Sequence, residues 1–243
     1  MRIVLKKTSF VDYPGKLCAV FFFPGCNLRC PWCQNSGLVT DALAGEIAEA
    51  VEFEECLAHL AKRRSILRGV VLSGGEPLIR QELPDIITMI KKNGLAVKLD
   101  TNGMNSQMLE LLFHEKNTRP DYIALDLKLA PNRYSELAPP LANAPSNWGH
   151  RLTRSAELIR DSGIAHEYRT LSLPHGVFTD ADIEALTPLV DESPWYFRPF
   201  RPGNCLEPSW NNYEQPGAET VKNHVRKALS LGKNAKAAAL TPQ

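Results

Sequence analysis

Near its start the chain reads Leu17-Cys18-Ala19-Val20-Phe21-Phe22-Phe23-Pro24-Gly25-Cys26-Asn27-Leu28-Arg29-Cys30-Pro31-Trp32-Cys33. An apolar run rich in aromatic residues, cut off by Pro-Gly, predicts a buried strand that ends in a loop. The same phrase recurs at Gly69–Ser73, Ala96–Thr101, Tyr122–Leu127, Ala165–Leu171 and Trp195–Pro199, where a strand-like run meets a polar turn and then a helical pattern. Phe53, Cys56, Leu57 and Leu60 keep helical spacing, as do Leu83, Ile86, Ile87 and Ile90 before Gly94, so both segments read as amphipathic crossover helices. A third helix should end at Gly163. A fourth should open on a capping box at Thr179-Asp180-Ala181-Asp182, carry Ile183, Leu186 and Val190 on one face, and kink or stop at Pro188.

Strand starts near 69, 96 and 122 are separated by about the length of one βαβ unit, whose right-handed connections make a parallel sheet. A closed barrel needs eight such units, and six are visible. The expected class is therefore α/β, an open partial (β/α)6 TIM-like barrel with its site at the C-terminal strand ends. Segments 130–149 and 199–217, rich in Pro and Asn, should be irregular and lie at the barrel mouth. Residues 1–232 read as a single domain and 233–243 as a loose tail.

Composition narrows the class of function. The chain has 243 residues, 44% hydrophobic, with 28 Lys+Arg against 27 Asp+Glu. This is a globular profile without the clustered basic surface that duplex nucleic acid requires. No apolar run approaches the roughly 20 residues that span a bilayer, and the N-terminal residues have neither an apolar core nor a cleavage site for export. The reading is cytoplasmic, with no membrane and no nucleic-acid partner. In that setting six cysteines, three of them within eight residues, argue for a metal site rather than disulfides.

The loop is C-x3-C-x2-C. A cubic iron–sulfur cluster takes one thiolate per iron, so three cysteines leave one iron open to a ligand, as catalytic zinc sites keep a position free. Two other readings compete. Zinc favours C-x2-C pairs and four ligands, for which Cys18, Cys56 or Cys205 would have to approach in space. Unrelated thiols are the other reading, but free cysteines sit singly in cores, whereas these share a loop with Pro, Gly and Asn.

The loop, with its aromatic at Trp32, resembles the signature of the radical S-adenosylmethionine enzymes, and the resemblance extends over most of the chain. It implies that Cys26, Cys30 and Cys33 hold one [4Fe-4S] cluster whose fourth iron is chelated by S-adenosylmethionine. The segments Lys7-Thr8-Ser9-Phe10-Val11-Asp12-Tyr13-Pro14-Gly15-Lys16 and Arg198-Pro199-Phe200-Arg201-Pro202-Gly203-Asn204 resemble the branch of anaerobic ribonucleoside-triphosphate reductase activating proteins. Between Cys33 and Gly74 only Cys56 appears, so a second ferredoxin-like module is not expected.

Other motifs fall on the same rim. Ser73-Gly74-Gly75-Glu76-Pro77 closes the second strand; its glycines allow close backbone approach, and Glu76 can pair with an ammonium group. The resemblance gives that group as the methionyl amine; an ordinary turn with an exposed Glu is the plainer reading. Asp100, Thr101 and Asn102 end the third strand, and Asp126 and Lys128 the fourth. They suit ribose or a carboxylate, and the resemblance extends to a monovalent cation shared by Asp100, Thr101 and Asp126. Asp100 and Asn102 could equally cap a turn. Arg169, on the fifth strand, is expected either at the cofactor or in a salt bridge. Trp32 would pack on adenine or shield the cluster. Arg201 stands where some related activases carry His, which leaves its role open. Cys56 reads as core, Cys18 as part of a strand, and Cys205 as undecided.

The implied activity is reductive cleavage of S-adenosylmethionine, with an electron from flavodoxin or ferredoxin, to generate a glycyl radical on anaerobic ribonucleotide reductase. A radical enzyme acting on a small molecule such as a modified-base precursor, activation of another glycyl radical enzyme, and a non-catalytic electron-transfer module are the alternatives.

Overall fold

A computed structural model describes residues 1–39, 50–139 and 147–238. The chain divides into two compact units, one of Met1–Asn27, Gly37–Thr101 and Gln107–Ile123, the other of Leu28–Ser36, Asn102–Ser106 and Ala124–Gln243.

The first unit holds β1 (Arg2–Ser9), β2 (Cys18–Phe23), β3 (Ala50–Glu52), β4 (Gly69–Gly74), β5 (Ala96–Thr101) and the start of β6 (Tyr122–Asp126), ordered β3-β1-β2-β4-β5-β6. Its helices are α1 (Phe53–Arg63), α2 (Leu83–Lys92) and most of α3 (Ser106–His114). β2, β4 and β5 run parallel, with Val20 beside Val71 and Val71 beside Lys98, and Val20, Phe21, Val70, Val71 and Leu72 are buried. Apolar side chains on both faces of such strands explain why their sequences are unbroken runs rather than alternations. Tyr13, Cys18, Val20 and Val71 form one cluster of this core.

The second unit holds the end of β6, then β7 (Ala165–Ser172), β8 (Trp195–Pro199) and β9 (Ala235–Ala237), with α4 (Trp148–Asp161), α5 (Asp180–Leu186) and α6 (Ala218–Ser230). β7, β8 and β9 are parallel neighbours. The Asp182 carboxylate accepts from the Thr179 amide and hydroxyl, both at 2.9 Å, which closes the α5 start as its sequence predicts. Gly163 follows α4 at φ 68°, and α5 gives way to a short 3-10 turn that contains Pro188.

The six expected strands are β2, β4, β5, β6, β7 and β8, each within about one residue of its sequence bounds. Five strands and helices were not expected. β1 and β3 add antiparallel strands: Val4 pairs with Phe22 of β2, and Ile3 and Val4 pair with Val51 and Ala50 of β3. α3 buries only Leu109 and Leu112 in its own length, and α6 buries Val221, His224 and Ala228, a face too weakly apolar to stand out as periodicity. The loose-tail reading fails over Ala235–Ala237: these residues pair with Trp195–Phe197 as β9, since three backbone groups on an open strand edge find ready partners. Residues 239–243, and 140–146 of the irregular segment, lie outside the described residues. Segment 199–217 carries only a 3-10 turn at Pro208–Asn212.

Candidate functional site

In the first unit the ends of β2 and β4 lock together backbone to backbone. The Gly75 amide donates to the Phe23 carbonyl at 2.8 Å and the Glu76 amide to the Gly25 carbonyl at 2.9 Å. The Gly25 amide in turn donates to Leu38 at 2.5 Å, so the stem of the cysteine loop is held from two sides. No side chain fits between these strands. A Cβ on Gly75 would stand 1.9 Å from the Gly25 oxygen, and one on Gly74, whose φ is 115°, would stand 2.4 Å from the Phe23 nitrogen. The glycine pair is thus required by the close approach itself.

That approach fixes Glu76, which is 1% exposed. Its Oε1 accepts from the Thr101 hydroxyl at 2.6 Å and from the Leu78 amide at 3.1 Å, so the plainer reading of an exposed turn glutamate does not hold. Asp100 takes a partner that was not anticipated: Lys98 Nζ lies 2.5 Å from its Oδ1, with the lysine side chain only 2% exposed. The signal was available in the sequence, since residues two apart on a strand share a face and Lys98 interrupts an otherwise apolar run before Asp100.

In the second unit the Cys30-Pro31-Trp32-Cys33 turn closes with the Cys33 amide donating to the Cys30 carbonyl at 3.0 Å. The segment after β8 grips it: the Leu206 amide donates to Cys33 and the Glu207 amide to Pro31, each at 3.0 Å. Arg29 donates to Leu137 at 2.8 Å. Trp32 is buried, its ring 5.2 Å from that of Trp210, which also packs on Phe200 and Tyr213. Trp210 was passed over because its segment is rich in Pro and Asn; a tryptophan in such a segment is itself a hint of a buried anchor.

Asp126 sits between two cations. Its Oδ1 lies 2.9 Å from Arg169 Nε and its Oδ2 3.3 Å from Lys128 Nζ. Burial by itself would raise the carboxyl pKa, but Arg169 first and Lys128 second overcome that and hold it at about 2. Of the two places expected for Arg169, the salt bridge is therefore present, with Asp126 as a partner. Asn102 takes the turn-capping role, its Oδ1 accepting the Met104 amide at 2.9 Å. The Arg201 carbonyl accepts from Gln34 at 2.5 Å.

The Asp126 arrangement fixes a pH response. A carboxyl lowered in the folded chain stabilises it above the ordinary value of about 4 and loses that contribution as pH falls toward about 2. Arg169→Leu should raise the carboxyl pKa and move the loss to higher pH. Acid unfolding followed by circular dichroism is then expected to shift upward by about one pH unit; an unchanged midpoint would show that Lys128 suffices.

The remaining thiols separate by burial. Cys18 and Cys56 are 0% exposed, and burial pushes their pKa values to about 11 and about 12. Cys33 is half-buried, and burial raises its pKa too, against the Asn35 backbone and the charges of Lys128 and Arg29. Cys205 is buried beside the loop-gripping segment, its amide donating to Asn211 at 3.0 Å. Cys26 belongs to the first unit and Cys30 and Cys33 to the second. Among the described residues no three His, Cys, Asp or Glu side chains form a ready-made metal-holding group.

An α/β chain of consecutive βα strands, with a three-cysteine loop after the first and a Gly-Gly-Glu turn after the second, defines a class: the partial-barrel enzymes that cleave a sulfonium by radical chemistry. The family model of the Radical SAM superfamily matches residues 20–187, and the chain belongs to that superfamily. It is 29% identical, over 94% of its length and 88% of the relative's, to a protein of Methanocaldococcus jannaschii provisionally named a glycyl-radical enzyme activating enzyme. It is 34% identical to the pyruvate formate-lyase-activating enzyme of Clostridium pasteurianum over 51% of this chain and 50% of that one. Its fold matches a radical SAM methyltransferase from Sphaerobacter thermophilus, with a TM-score of 0.67 and 17% identity, over 95% of this chain and 68% of the other. The fold class is thus the open partial barrel expected from the sequence.

Membership implies a [4Fe-4S] cluster and S-adenosylmethionine. The residues present fit both. In type and number the donors fit: the C-x3-C-x2-C segment supplies three soft thiols and no fourth cysteine, the donor set of a cluster with an open iron. The close approach of Gly74-Gly75 to the Phe23–Gly25 backbone leaves no room for a Cβ and fixes Glu76, a buried carboxylate of the type that pairs with an ammonium group.

Proposed function

We propose that the chain is a cytoplasmic radical enzyme that generates a glycyl radical on a partner protein, the partner being anaerobic ribonucleoside-triphosphate reductase and the electron donor a flavodoxin or ferredoxin. The observation that carries the radical chemistry is the Gly-Gly-Glu turn hydrogen-bonded to the stem of the cysteine loop. The activase branch is supported by a relative of that name matching 94% of the chain, and the choice of reductase by the segments Lys7–Lys16 and Arg198–Asn204.

Bound together, the cluster and S-adenosylmethionine supply one-electron cleavage of the sulfonium and a 5′-deoxyadenosyl radical. The chain's own residues bind and shelter. Cys26, Cys30 and Cys33 would hold the cluster. Glu76, steadied by Thr101 and Leu78, would take the methionyl ammonium, as a carboxylate preorganised by two donors loses little freedom on binding. Trp32 and Trp210 close the loop against water.

The test is anaerobic reconstitution with iron and sulfide, then reduction with S-adenosylmethionine. Release of 5′-deoxyadenosine is expected, followed by a glycyl radical doublet in electron paramagnetic resonance when the reductase is added. An intact cluster without 5′-deoxyadenosine would refute the radical chemistry. 5′-Deoxyadenosine without a radical on any glycyl radical partner would move the reading to a small-molecule substrate.

A further inference from the structure

The oxygens expected to share a monovalent cation do not fit one. In the first unit Asp100 Oδ1 already has an ammonium group at 2.5 Å, and the Thr101 hydroxyl donates to Glu76 at 2.6 Å. In the second, the two Asp126 oxygens face a guanidinium at 2.9 Å and an ammonium at 3.3 Å. An alkali ion bound at any of these carboxylates would sit against a positive side chain that repels it, most strongly at Asp100, where the lysine is buried. The charge balance is met by the chain.

Lys98 is the least ordinary of these cations. The β4–β5 register sets it beside Val71 on the face that carries Val20, with its side chain 2% exposed, deep in an apolar strand. Lysine is almost never buried to that degree unless paired. An ammonium group resembles potassium in charge and size, and here it is tethered two residues before the carboxylate it serves.

We propose that Lys98 is a built-in replacement for the monovalent cation: its ammonium neutralises and orients Asp100 at the β5 end, so that S-adenosylmethionine binds without potassium or sodium. The inference rests on the radical reading of the site. Lys98 is a positioning residue, acting through Asp100.

The test uses the full chain, reconstituted anaerobically and exchanged into tetramethylammonium buffer at constant ionic strength. S-adenosylmethionine affinity is read by equilibrium dialysis and by its perturbation of the reduced-cluster resonance, and potassium, sodium or ammonium chloride is titrated in. Wild-type affinity should change by less than about twofold. Lys98→Met should bind about tenfold more weakly in tetramethylammonium and recover on adding potassium or ammonium, the coupling expected when a lost internal cation is replaced from solution. A wild type that gains about tenfold with potassium, or a Lys98→Met variant that binds normally and ignores potassium, overturns the proposal while leaving the radical reading intact. If Lys98→Met does not retain iron, the wild-type titration alone decides. Iron-loaded wild type that binds no S-adenosylmethionine under any condition overturns the reading and the proposal together.

Discussion

Gly75→Ala is expected to weaken S-adenosylmethionine binding sharply and to cost about 3 kcal/mol of stability, the upper range for overpacking a tight site. The added methyl would lie 1.9 Å from the Gly25 oxygen and 3.1 Å from that of Leu38, both backbone atoms that cannot rotate away. The strands would have to part, and the Gly75–Phe23 and Glu76–Gly25 hydrogen bonds would be lost with the placement of Glu76. Affinity should fall on the order of a hundredfold, the worth of one charge-assisted contact in a buried site. Urea unfolding and equilibrium dialysis check the two effects separately. Gly37→Ala, where an added Cβ meets nothing within 4 Å, should change stability by less than about 0.5 kcal/mol. Equal effects of the two substitutions would refute the close-approach argument.

Cys30→Ala should leave the protein unable to retain iron and sulfide, because two remaining thiolates cannot hold a cube that already has one iron without a protein ligand. Cys56→Ala should retain both, at a cost of about 1 kcal/mol for a small cavity on the buried face of α1. Iron and acid-labile sulfide assays with visible absorbance decide it. Loss of the cluster in Cys56→Ala and its survival in Cys30→Ala would reverse the division of the thiols.

The parts legible in the sequence are those where local pattern and burial agree. Leu17–Phe23 and Gly69–Ser73 announce β2 and β4 because both faces are buried, and Thr179 to Asp182 announce α5 because capping is a local matter. The cysteine loop and the Gly-Gly-Glu turn were visible as chemistry before their geometry was known. What escaped notice depends on partners distant along the chain. β1 counts as a strand only once β2 and β3 flank it, and α6 has a buried face only because His224 meets Ser172 at 2.8 Å and packs on Phe178. The reading of Asp100 and Asp126 as joint cation ligands left out Lys98, although its place two residues before Asp100 on one strand was a signal, and the Arg169 salt bridge was expected without its partner, which sequence does not name. Trp210, 178 residues after Trp32, is the same case in apolar form.

The strand β9 carries a consequence for handling the molecule. Ala235–Ala237 covers the outer backbone edge of Trp195–Phe197, and Lys236, exposed in its middle, presents a charge to anything that approaches. Lysine on a short terminal strand discourages edge-to-edge association between copies. A chain shortened at Gly232 would keep every residue of the cysteine loop and the Gly-Gly-Glu turn yet bare β8, whose aromatic strand is a template for intermolecular pairing. A segment that reads in sequence as a dispensable tail is therefore part of the sheet, and its loss is expected to favour association through β8.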